Sequence, residues 1–92
     1  MLTPDDVVHR RFTTTRFGQG YDQDEVDAYL DEITVTLRGH LEGDAAAINL
    51  LADDIGGAQF TTTRFRDGYA ISEVDDFLDE AAAALRAHEA RS

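Results

Sequence analysis

The chain contains no cysteine, no lysine and only one proline. Without cysteine, disulfides and thiolate metal sites are excluded. Nor is there an apolar run long enough to span a bilayer. Met1–Asp6 lacks the charged start and apolar middle of a signal peptide, so the expected location is the cytoplasm. All eight basic residues are arginine, against 19 acids, for a formal net charge of -11. Such acidity argues against nucleic acid as a partner, and against an anionic membrane met by the whole surface. No clustered histidine and no phosphate-cradling glycine loop appears, which predicts a non-enzymatic protein without cofactor. The acidic run Asp22–Glu25 lacks the glycine and bidentate glutamate of an EF-hand, so no metal is expected there. His9, His40 and His88 show no ligand spacing and read as surface residues.

What the chain does have is a repeat. Leu2–His40 aligns with Leu50–His88 at a constant offset of 48 residues, without a gap. From Phe12 to His40 the two copies share 17 identities in 29 positions. A repeated unit predicts two equivalent pieces related by a pseudo-twofold axis. Each copy is too short to bury an adequate core alone. We therefore divide the chain into a first repeat, residues 1–42, and a linker helix with the second repeat, residues 43–92, around one shared core. The repeats pair either within one chain or between chains as a homo-oligomer.

Within copy one, Thr3 reads as an N-cap with Pro4 at N1, opening a short helix that ends near His9–Arg11. The Thr13–Thr15 and Thr61–Thr63 triplets disfavour helix and predict extended connections rather than sheet strands. Gly20 and Gly68 predict a tight turn or positive φ. Asp22 and Glu25 form a capping box, each accepting from the other's amide, and start a helix running to about Gly39. In copy two Asp22 becomes Ala70, so capping by Ser72 and a later helix start are predicted. The apolar spacing 4-3-4 places Val26, Leu30, Ile33 and Leu37 on one seam, matched by Val74, Leu78, Ala81 and Leu85, as in a short coiled-coil pair. Propensity predicts one return helix from about Asp44 to Ile55. The predicted fold is therefore all-α: two short-helix/loop/long-helix units, their long helices packed in parallel, joined by an antiparallel return helix.

Leu2-Thr3-Pro4-Asp5-Asp6-Val7, then Phe12, then Gly20-Tyr21-Asp22-Gln23-Asp24-Glu25-Val26, ending in Tyr29-Leu30, resembles the N-terminal domain of the DivIVA family of bacterial cell-division and polar-growth scaffolds. Copy two keeps Phe60, Gly68-Tyr69, Glu73-Val74 and Phe77-Leu78 but lacks the Thr-Pro start. The resemblance implies a short helix, a crossed loop and a coiled-coil helix. It also implies peripheral binding to the inner face of the cell membrane through an exposed loop phenylalanine with a nearby arginine. By position these are Arg16 and Phe17 in copy one, and Arg64, Phe65 and Arg66 in copy two. The implied partners are the cytoplasmic membrane surface and cell-division or growth proteins. Read from the residues alone, Phe17 and Phe65 are either membrane-inserting tips or core residues closing the loops. Arg16 and Arg64 either meet lipid phosphate or pair with acidic helix starts such as Asp24 and Asp27. The alternative function is a soluble protein–protein adaptor with no membrane binding, which the net charge favours.

Overall fold

The computed structural model describes every residue except Phe17, Phe65 and Ser92. Its order is α1 (Pro4–Val8), β1 (Thr14–Thr15), β2 (Gly20–Tyr21), α2 (Gln23–Glu42), a 3₁₀ turn (Ala45–Ala47), α3 (Ala52–Gly56), β3 (Thr62–Thr63), β4 (Gly68–Tyr69) and α4 (Ile71–Arg91). The long axis measures 44 Å and the two short axes 21 Å each.

The all-α reading is overturned by a four-stranded antiparallel sheet in the order β1-β4-β2-β3. Thr14 and Thr15 pair with Tyr69 and Gly68, Gly20 and Tyr21 pair with Thr63 and Thr62, and Tyr21 faces Tyr69. The protein is a mixed α/β structure. The strands alternate between repeats, so no strand has a neighbour from its own copy. β-Branched threonines supply the extended backbone, but a two-residue strand has no pattern of its own, and its partner lies about 50 residues away.

Gly20 and Gly68 act by close approach, not by positive φ. A Cβ on Gly20 would lie 2.5 Å from Thr15 Oγ1 and 2.9 Å from the Gly68 carbonyl carbon. A Cβ on Gly68 would lie 2.9 Å from Thr63 Oγ1 and from the Tyr21 carbonyl oxygen. The loops cross where neither carries a side chain. Among the described residues positive φ occurs at Gly43, which caps α2 in the left-handed region at φ 69°.

Thr3 caps α1 as read: its hydroxyl accepts from the Asp6 amide, and Asp6 accepts from the Thr3 amide. Asp22 likewise accepts from the Glu25 amide at 3.1 Å. Glu25 does not return the bond. It accepts instead from the Thr61 amide in the other repeat at 3.0 Å, and the Asp22 amide donates to the Thr61 carbonyl. Despite Ala70, α4 starts at Ile71, the position equivalent to Gln23, because the Ala70 amide is held by the Thr13 carbonyl.

The predicted return helix is broken. After the turn at Ala45–Ala47 the chain is extended at Ile48, then α3 begins at Ala52. Buried Thr36 accepts from the Asn49 amide at 3.2 Å, and a Cβ on Gly39 would sit 3.1 Å from Ala47 Cβ and Ile48 Cγ1. Contact with α2 therefore overrides alanine's helical propensity.

One apolar cluster includes residues of both repeats: Val7, Val26, Ile33 and Leu37 with Ile55, Val74, Phe77 and Leu85. α1 packs on α2 and α3 packs on α4. Helices α2 and α4 run in the same direction, since Tyr21 bonds Asp75 near their starts and His40 stacks on His88 near their ends. Leu30 is only half-buried, and Ala81, Ala82 and Ala84 are buried while Ala83 is exposed. Much of what the stripes hide is covered by α1 and α3, so a coiled-coil seam alone does not describe the core.

Candidate functional site

The crossed strand pairs bring both loops to one end, at the starts of α2 and α4. Each loop lies on the other repeat's long helix. The Thr13 amide donates to Glu73 at 2.9 Å, mirroring Thr61 to Glu25. Phe12 packs against Tyr69 at 5.3 Å and Phe77 at 5.8 Å between ring centroids, and Phe60 packs against Tyr21 at 5.2 Å and Tyr29 at 5.6 Å. Phe12 and Phe60 are half-buried against the core. Tyr21 donates to Asp75 and Tyr69 to Asp27, each at 2.8 Å. Burial, then these carboxylates, raise both phenol pKa values, that of Tyr69 to about 12.

Of the predicted contact residues, Arg16, Arg64 and Arg66 are exposed at this tip, while Phe17 and Phe65 lie outside the described residues. Arg16 meets Asp67 of the other loop at 3.6 Å, rather than Asp24 or Asp27. Arg66 pairs with Asp22. That second pair joins two positions where the copies differ in charge: Gly18 stands opposite Arg66 in the alignment, and Ala70 opposite Asp22. Arg64 makes no ion pair among the described residues. The tip is thus an exposed surface whose cations are partly answered by acids of the other repeat. The exposed Arg16–Asp67 pair contributes about 0–1 kcal/mol.

Two grooves that the sequence reading missed flank the helices at equivalent positions. The first, about 480 Å³, is lined among others by Val7, Arg10, Asp27, Leu30, Asp31 and Thr34. The second, about 280 Å³, is lined among others by Ile55, Ala58, Asp75, Leu78, Asp79 and Ala82, each 48 residues further on. Arg10 has no counterpart in the second. It bonds Glu80 at 3.1 Å and lies 4.7 Å above the Phe77 ring centre. In the second groove Asp75 and Asp79, one helical turn apart, lie beside Ile55 and Leu78, whereas the first also carries Arg10 and Arg11 next to Asp27 and Asp31. The repeat offset was the available signal, because it pairs every residue of one groove with one of the other.

The reading of all three histidines as surface residues is also corrected. His40 and His88 stack with centroids 4.9 Å apart, and His88 is buried. Among the described residues no group of three or more His, Cys, Asp or Glu could hold a metal ion, and no helix is long and apolar enough to cross a membrane.

Compared with known proteins, the chain is similar to the cell cycle protein GpsB of Limosilactobacillus reuteri (strain DSM 20016), with 45% identity over 32 residues. That stretch is 35% of this chain and 27% of the relative, so the match spans about a quarter of that protein's length. No family model and no solved structure matches the chain.

Proposed function

We propose that the chain is a non-enzymatic, tandem DivIVA-like module acting in bacterial cell division or growth, with the crossed-loop tip as its docking surface. The observation that carries this reading is the convergence of both loops, with Arg16, Arg64 and Arg66, at one end of a helix pair. The likeness to a cell cycle protein and the motif order of copy one support the cell-division setting. In this reading the tip meets the cytoplasmic membrane face or a septal protein, and the helices hold the two loops at a fixed spacing.

Sedimentation with anionic liposomes tests the membrane arm. Binding by the wild type that is lost in Phe17→Ser/Phe65→Ser supports it. No binding by the wild type, or equal binding by the variant, removes it. The second reading is a soluble adaptor. It is favoured by the Arg16–Asp67 and Arg66–Asp22 pairs, which answer tip cations internally, and by the second groove, where Asp75 and Asp79 lie beside Ile55 and Leu78. Retention of a basic, apolar peptide by the protein, without lipid binding, selects it.

A further inference from the structure

We infer that His40 and His88 form a proton-operated joint at the end of the helix pair opposite the sheet: as neutral imidazoles they close the ends of α2 and α4, and on protonation they release them. The two residues are 48 apart in sequence, so they are each other's equivalents and meet across the pseudo-twofold relation. Their rings are nearly parallel, inclined by 9°, with centroids 4.9 Å apart. His88 is only 9% exposed, and His40 Nε2 is buried with no hydrogen-bond partner. Fully buried Leu37 and Leu85 lie one turn before them.

This arrangement accommodates two neutral rings and resists charge. A proton on His88 places a cation in a desolvated position, and a proton on each ring places two like charges face to face. The C-terminal ends of α2 and α4 favour a cation, but at His88 burial and like charge outweigh this. From α4, Arg91 opposes protonation of His88, and burial, His40 and Arg91, in that order, hold His88 below the ordinary histidine value. Glu89 on α4 accepts from the Ala52 amide at the start of α3, and Arg86 pairs with Asp53. From the linker, Ala47, Ile48 and the Asp44 carbonyl approach Gly39, while the Asp44 carboxylate accepts from the Ala46 amide. Arg38 and Glu42 on α2 are exposed.

The tip does not share this dependence, because its strands are joined by backbone bonds that carry no titrating group. Acidification from pH 7.5 to pH 5.5 therefore loosens one end and spares the other. Hydrogen exchange of the full chain between pH 7.5 and pH 5.5, with imidazole shifts followed by NMR, tests this. Protection over residues 37–42 and 85–91 is expected to fall up to about tenfold per pH unit for each proton taken up below about pH 6.5, while the sheet amides keep theirs. The His88 ring is expected to titrate below the ordinary value. The double variant His40→Phe/His88→Phe keeps a stack that cannot be protonated and is expected to lose the pH dependence. A His88 ring that titrates at or above the ordinary value, protection lost equally at both ends, or an unchanged pH response in the double variant would each overturn the inference. The wild-type ring titration decides even where the variant fails to fold.

Discussion

The Tyr69 phenol donates to Asp27 at 2.8 Å, joining the second repeat's loop to the first repeat's helix, and Tyr21 makes the equivalent bond to Asp75. Both phenols must stay protonated to donate. Their folded pKa values are raised above 10.0, that of Tyr69 to about 12. Between the unfolded and folded values the native state holds protons that the unfolded chain gives up. Stability from these groups is therefore full below pH 10.0 and is lost as pH rises toward about 12. Tyrosinate absorbance followed alongside helical circular dichroism checks this, and late ionisation that coincides with loss of helix is the expected result. Tyr69→Phe, which removes one hydrogen bond, is expected to cost about 1 kcal/mol in urea denaturation.

The Gly20–Gly68 crossing sets a second expectation. Alanine at either position drives a methyl group into backbone at 2.9 Å. Overpacking of this kind costs about 1–3 kcal/mol, and here the obstacle is main chain, which yields poorly. Gly18 and Gly56 have nothing within 4 Å of a built Cβ and lack positive φ, so Gly18→Ala and Gly56→Ala are expected to be tolerated. Urea midpoints for the four variants measure the contrast, and equal midpoints would contradict the close crossing.

Acid should act at the loop–helix bonds. The Thr13 backbone amide lowers the Glu73 pKa below 4.5, and the Thr3 amide and hydroxyl lower that of Asp6 below 3.8. A lowered carboxylate value means that the unfolded chain binds the proton first as pH falls. Stability from Glu73 is full above pH 4.5 and is lost below it, through the folded value. Glu73→Gln is expected to flatten thermal stability between pH 5 and pH 3 relative to wild type. A variant whose acid profile overlays the wild type's would remove Glu73 from this role.

The sequence made the local caps legible because their signals are local. Thr3 with Asp6, and Asp22 with Glu25, lie within one helical turn. The apolar stripes were legible for a similar reason, since their spacing repeats along one helix, but α1 and α3 rather than a coiled-coil seam cover much of them. The sheet was hidden because each strand is two residues long and pairs only across the repeat. The same distance hid Glu25's true partner, Thr61, and the stacking of His40 on His88. Offset-48 equivalence carried that information, since a twofold relation brings equivalent residues near the axis together. The two groove walls followed from the same rule. The Arg66–Asp22 pair did not, because it joins positions at which the copies are unequal.

The interleaved sheet order makes each repeat depend on the other. β1 has β4 as its neighbour, β3 has β2, and β2 and β4 adjoin each other, so a lone copy keeps none of these ladders. It also exposes the apolar stripe that the other copy covers: Phe77 packs on Phe12, and Tyr29 on Phe60. Burying one such large side chain contributes about 1.5–3 kcal/mol, a substantial part of the net stability of a small domain. Fragments 1–42 and 43–92 are therefore expected to show little helix separately and no cooperative melting. Mixed in equal amounts, they are expected to regain helical circular dichroism and a concentration-dependent melting transition. If fragment 1–42 alone melts cooperatively as a monomer, the strands and stripe of that repeat are satisfied without its counterpart, and the mutual dependence read from the crossed loops is wrong.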